Sequence, residues 1–238
     1  PKTYIQVAFQ VNNFAMVDLD GDGDQDILAI GSDYYFSYGG SCGSNFFFIE
    51  NEGTSSEPEF NQHQIDPFGL DWPCKQGLVN IDLADVDSDG DLDIFLSGSF
   101  RDAENDSYYE PGFTGLAFFE NIGTNVNPLF DDYVINPFGI EFHNGTDSIN
   151  VSSIYWDDFN YDGKLDMFGH SFMIKEDTIL SKEILFLNQG TTSEPYFSNF
   201  QLDPFLEVEA DFNIYNFFLT KVFDKLADVD NDGDMDYI

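Results

Sequence analysis

Four short segments set carboxylates on alternate residues: Asp18, Asp20, Asp22, Asp24 and Asp26; Asp85, Asp87, Asp89, Asp91 and Asp93; Asp158, Asn160, Asp162, Lys164 and Asp166; and Asp228, Asp230, Asp232, Asp234 and Asp236. Each has Gly at its sixth position (Gly23, Gly90, Gly163, Gly233). Oxygen donors on alternate residues of a loop turned sharply by Gly suit a hard cation that takes roughly six to eight oxygen ligands, and calcium fits best. Side chains at positions 1, 3, 5 and 9 would be ligands, and position 7 would offer only its backbone carbonyl, at Asp24, Asp91, Lys164 and Asp234. Magnesium wants stricter octahedral geometry and zinc wants His or Cys. The third loop, with Asn160 at position 3 and Lys164 at position 7, has three ligand carboxylates instead of four, so it is expected to be the weakest of four Ca2+ sites. An EF-hand would need a Glu at position 12, where this chain has Ala29, Leu96 and Gly169.

The loops lie on a long repeat. They begin at residues 18, 85, 158 and 228, about 70 residues apart. Between them Asn-x-Gly-Thr-x-x-x-Pro-x-Phe recurs at 51–60, 121–130 and 188–197, each time followed by Asp-Pro-Phe or Asn-Pro-Phe at 66–68, 136–138 and 203–205. Short apolar runs bounded by Gly, Pro, Asn or Asp read as strands before each acidic loop (14–17, 78–83), after it (27–30, 94–96, 167–168, 237–238) and before each Asn-x-Gly-Thr (46–49, 116–119, 184–187). A fourth strand is expected after each Pro-x-Phe. No capped helical period is present. Four antiparallel strands per repeat predict an all-β chain of β-propeller blades, about 3.4 of them, in a propeller that would close with about seven. The blades are expected at 14–77, 78–150, 151–218 and, cut short, 219–238, with 1–13 as lead-in or the end of a preceding blade. The remaining blades are expected outside this segment.

The 238 residues carry 45 Asp and Glu against 8 Lys and Arg, for a formal charge of −37, with 42% hydrophobic residues and 27 Phe. That is too apolar for a disordered acidic tail. It also points away from nucleic acid and anionic membranes, which need Lys and Arg. Apolar runs such as 45–49 fall far short of the roughly 20 residues that span a bilayer. No signal-peptide pattern is present and the chain opens with Pro1, as a mature product or fragment would.

The acidic loop, the strand that follows it and the period resemble the FG-GAP/VCBS repeats of calcium-binding β-propellers, as in the integrin α-subunit head. The long blade with its Asn-x-Gly-Thr element is most similar to secreted or surface propellers of Bacteroidota. The resemblance implies a metal in the loop joining the first two strands of each blade. It carries the ligand role, position by position, onto the residues named above.

In such a blade the acidic loop and the turn between the third and fourth strands share one end. The connections that vary in length fall at the other, where recognition usually sits. Tyr34, Tyr35, Tyr38, Trp72, Tyr108, Tyr109 and Phe142 lie in those connections as candidates for stacking on a sugar ring or anchoring a protein. Cys42 and Cys74 fall there too, around the same blade, and are expected to form a disulfide. His63, His143 and His170 lie in different repeats, and no His-Glu-x-x-His or Gly-x-Ser-x-Gly motif occurs. His63 and His170 fall in expected strands, His143 in a variable connection. These features predict an extracellular or cell-surface calcium-stabilised module that binds a protein or glycan and is not an enzyme. The alternatives are a scaffold subunit of a surface or secretion assembly and, further off, a polysaccharide lyase or hydrolase.

Overall fold

The computed structural model describes residues 9–33, 45–71, 79–100, 113–144, 147–175 and 178–204, with the two-residue strands at 211–212, 226–227 and 236–237. Among these residues every regular element is a strand. The first sheet is an antiparallel meander of β1 (Phe9–Val17), β2 (Asp26–Asp33), β3 (Asn45–Ile49) and β4 (Gln64–Ile65). The second repeats it with β5 (Val79–Ala84), β6 (Asp93–Phe100), β7 (Phe113–Phe119) and β8 (Val134–Ile135). The third runs through β10 (Asp147–Asp157), β11 (Asp166–Lys175), β12 (Thr178–Phe186) and β13 (Phe200–Leu202). In it β9 (His143–Asn144) pairs with β10 and β14 (Asp211–Phe212) with β12. A last pair joins β15 (Leu226–Ala227) to β16 (Asp236–Tyr237).

The sheets stack face to face in chain order. β3 is apolar at successive positions because it serves two clusters: Phe46 and Phe48 face the second sheet, while Phe47 and Ile49 face away from it. The second sheet is covered on both faces. Ile81, Ile94, Leu96 and Phe119 meet the first sheet, and Phe95, Leu116 and Phe118 meet Ile154, Met167 and Ile184 of the third. Each such side chain taken fully out of water contributes about 1.5–3 kcal/mol. A bulge between Val151 and Ser153 lets Val151 and Ile154 share a face although they are three residues apart. On the outer face of the first sheet Ala29, Phe47 and Ile49 are buried, while Phe14 and Met16 of its first strand are 54% and 55% exposed.

The Asp/Asn-Pro-Phe element ends each fourth strand and ties one sheet to the next. Asp66, Asn136 and Asp203 adopt left-handed φ of 46°, 48° and 49°, which Asp and Asn tolerate better than most residues. Their Oδ1 atoms accept the backbone N–H of Phe46, Leu116 and Glu183. Two residues on, the carbonyls of Phe68 and Phe138 accept the N–H of Phe130 (2.8 Å) and Phe197 (2.9 Å) from the following repeat. These fourth strands are only two or three residues long, because the left-handed residue followed by Pro stops the ladder.

Phe142 is not available for recognition. It is 8% exposed and packs edge-to-face on Phe186, at 5.7 Å between ring centres, inside the cluster between the second and third sheets. An apolar residue in a connection is expected at the surface, whereas here the connection carries Phe142 into the core. His63 lies just ahead of β4 instead of in a strand, and His143 is in β9.

Candidate metal centres

Each acidic loop joins the first two strands of its sheet, and the strand register sets its ends. Val17 pairs with Asp26, Ala84 with Asp93, Asp157 with Asp166 and Ala227 with Asp236, so the residue before position 1 always faces position 9. Position 6 is left-handed in every loop described, with φ of 96° at Gly23, 101° at Gly90 and 85° at Gly163. A Cβ there would touch nothing within 4 Å, so the backbone conformation, not space, calls for Gly.

Inside the loops the carboxylates accept the loop's own N–H groups. Asp18 Oδ2 accepts from Gly23 at 3.0 Å, Asp85 Oδ2 from Gly90 at 3.2 Å, and Asp158 Oδ2 from Gly163 at 2.7 Å. Position 5 accepts from position 7 at 3.1 Å in the first and third loops and 3.2 Å in the second. This folding gathers the oxygens. One carboxylate oxygen each from Asp18, Asp20 and Asp22 lies within 4.8 Å of the others, and Asp85, Asp87 and Asp89 do the same. Like charges this close call for a cation or for protons.

Position 9 forms the floor. Asp26, Asp93 and Asp166 are buried, and their Oδ1 atoms accept the backbone N–H of Asn51 (2.9 Å), Asn121 (2.9 Å) and Asn188 (2.7 Å). The acidic loop and the Asn-x-Gly-Thr turn therefore meet at one end of each sheet. Asp93 Oδ2 and Asp166 Oδ2 are buried with no hydrogen-bond partner among the described residues. Burial, above all, pushes the Asp26 carboxyl up to about 6 and that of Asp93 to about 7, and raises that of Asp166. Burial and then repulsion from Asp89 push Asp91 up to about 6.

The third loop differs from the first two in having Lys164 at position 7. Lys164 Nζ lies 3.1 Å from Asp162 Oδ2 and donates to the carbonyls of Asn188 (2.5 Å) and Gly190 (3.4 Å). Burial would raise the Asp162 carboxyl, but the bonds from Lys164 and Asn160 outweigh it and hold the group below the usual range.

The Asn-x-Gly-Thr turn was legible as a repeat but not as a support for the acidic loop. Asn51 Oδ1 accepts from Gly53 (3.1 Å) and Glu59 (2.9 Å), Asn121 Oδ1 from Gly123 (3.1 Å) and Leu129 (3.0 Å), and Asn188 Oδ1 from Gly190 (2.9 Å) and Tyr196 (3.2 Å). The conspicuous signal was one invariant Asn per repeat at a fixed distance before Pro-x-Phe.

The fourth loop lies outside the described residues from Asp228 through Asp230, Asp232 and Asp234 to residue 235, and Asp236 stands at the start of β16. Cys42, Cys74, Tyr34, Tyr35, Tyr38, Trp72, Tyr108 and Tyr109 also lie outside them. Of the histidines, His170 is ringed by Tyr155 and Phe168, His63 lies against Phe47, and His143 forms an exposed pair with Glu141 at 2.9 Å. Comparison of the chain with protein-family models, curated proteins and solved structures gives no match.

Proposed function

We propose that the acidic loops bind calcium, and that the chain is a calcium-stabilised stretch of β-propeller of the FG-GAP/VCBS kind, working outside the cell as a binding module for a protein or glycan. The observation that carries the metal reading is the convergence of Asp18, Asp20 and Asp22, and of Asp85, Asp87 and Asp89, to within 4.8 Å above a buried Asp at position 9. Oxygen-only donors of this charge fit calcium. Weak sites of this type fill outside the cell, where calcium is abundant. The propeller reading is supported by four-stranded meanders stacked in chain order with the same links between them. Exposed apolar side chains on the outer face of the first sheet support further blades: Phe14, Met16 and Ile65 occupy the register positions of Ile81, Leu83 and Ile135, which the first sheet covers in the second.

The test is calorimetric titration with calcium, together with thermal unfolding in calcium and in chelator. Binding to the folded state raises the unfolding temperature as ligand exceeds its Kd. No heat of binding and the same transition in a metal-free sample would overturn the calcium reading. Calcium-dependent retention on immobilised glycans or on candidate surface proteins tests the binding role; loss of retention in chelator is the expected result.

A further inference from the structure

On the calcium reading, position 7 contributes a backbone carbonyl, which leaves its side chain without a task. The third loop shows where that side chain goes. Lys164 crosses the seam between the acidic loop and the Asn188 turn, and its ammonium sits among Asp162 Oδ2 and the carbonyls of Asn188 and Gly190. One carboxylate and two carbonyls are also what a hard cation would choose.

The first two loops put a carboxylate at that position. Asp24 is 9% exposed and Asp91 8%, and the Oδ1 of each is buried with no hydrogen-bond partner among the described residues. The Asp91 carboxyl meets that of Asp89, as Lys164 meets Asp162 one repeat later. Asp24 lies beside Asn51 and feels the charge of Asp22. Across the seam the turns share one hydrogen-bond pattern. Besides the bonds to the Asn side chains, Glu52, Ile122 and Gln189 each donate to the carbonyl seven residues on, at 2.8 Å in all three. The turns that carry the carbonyls of Asn51 and Gly53, and of Asn121 and Gly123, thus fold like the turn whose carbonyls Lys164 engages.

The geometry points to a second cation position at this seam in the first two repeats. A hard divalent cation would be held by the carboxylates of Asp22 and Asp24 with the carbonyls of Asn51 and Gly53, and by those of Asp89 and Asp91 with the carbonyls of Asn121 and Gly123. Lys164 is its built-in replacement in the third repeat. The inference rests on the calcium reading of the loops, because Asp22 and Asp89 serve both positions. A seam cation cross-links the two connections at that end of a sheet, and the third repeat makes the same cross-link without metal.

Counting calcium tests it. Equivalents bound at saturation are measured by equilibrium dialysis of the full chain, at mildly alkaline pH and physiological ionic strength. Asp24→Ala and Asp91→Ala each keep the backbone carbonyl and should each bind one calcium fewer than the parent. Lys164→Asp should bind one more, and Lys164→Ala the same number. A parental count in both Asp→Ala variants overturns the seam position while leaving the loop sites standing; carboxyls that merely share a proton give this result. Equal gains in Lys164→Ala and Lys164→Asp overturn it too, since the lysine would then only block the ordinary loop site. If the Asp→Ala variants lose their β-sheet circular dichroism, an unchanged count in Lys164→Asp decides against it. A parent that binds no calcium removes the loop reading itself.

Discussion

Asn121 donates its backbone N–H to Asp93 Oδ1 at 2.9 Å, and this bond fastens the turn after β7 to the floor of the acidic loop before β6. Asp93 thus has two duties. One oxygen holds the turn, and the other is buried without a partner among the described residues. An Asn would keep the first duty and drop the charge. Asp93→Asn should raise the unfolding temperature in chelator, where a buried carboxylate is a liability, and shrink the further rise that calcium gives. Differential scanning fluorimetry of parent and variant, each with calcium and with chelator, checks both signs.

The same burial gives the metal-free protein a pH dependence. Asp26 and Asp91 are pushed up to about 6 and Asp93 to about 7, from an ordinary 3.8. Between the ordinary and the raised values the folded state holds more protons than the unfolded one, so stability falls as pH rises. In chelator the unfolding free energy should be highest near pH 4, decline to about pH 7 and then level off, so far as these groups govern it. Calcium needs the ionised carboxylates, so its stabilising increment should grow over the same interval. Urea unfolding across pH, with and without calcium, reads the two opposite slopes.

Much of this arrangement was legible in the sequence because backbone geometry wrote it there. Gly23, Gly90 and Gly163 mark a left-handed turn, and alternate Asp residues mark the loop's inward side. The Phe-Phe-Phe-Ile run marked β3 as a strand, though not that its successive residues serve two clusters. What the sequence hid depends on contacts between distant segments. Nothing local says that the Asn51 amide would meet Asp26, or that Lys164 would reach the carbonyl of Asn188. Phe142 misled for the same reason: position in a connection says little about burial when the neighbouring sheet lies over it.

Two glycines of the second repeat should respond differently to the same substitution. At Gly90 an added methyl meets nothing within 4 Å, and only the φ of 101° is unfavourable. Gly90→Ala should cost about 1–2 kcal/mol. At Gly123 the methyl would lie 2.4 Å from the carbonyl oxygen of Asn127 and 2.6 Å from the nitrogen of Leu129, so the turn itself must open. That opening would break the bonds that Asn121 Oδ1 accepts from Gly123 and Leu129 and loosen the floor of the acidic loop. Gly123→Ala should therefore cost clearly more and weaken calcium binding as well. Urea midpoints and calcium titration of the two variants give the comparison.

Asp203 ends the third sheet's outer strand as Asn136 ends the second's, but with an ion pair added. Its Oδ1 accepts the Glu183 N–H at 3.1 Å, and its Oδ2 lies 2.5 Å from Lys182 Nζ. Asn136 does the first job without a charge, accepting the Leu116 N–H at 2.9 Å. Asp203→Asn should accordingly keep the cap and lose only the charge pairing, at about 1 kcal/mol or less for a partly exposed pair. Asp203→Ala also gives up the bond to Glu183 and sets Ala at a φ of 49°. Both variants leave Lys182, at 12% side-chain exposure, without this counter-charge. The loss in Asp203→Ala should then be about 2–3 kcal/mol. Because the site is remote from the acidic loops, neither variant should change the number of calcium ions bound. Chemical denaturation of both variants beside a calcium count tests the prediction: equal losses would mean that the ion pair, not the cap, holds this corner.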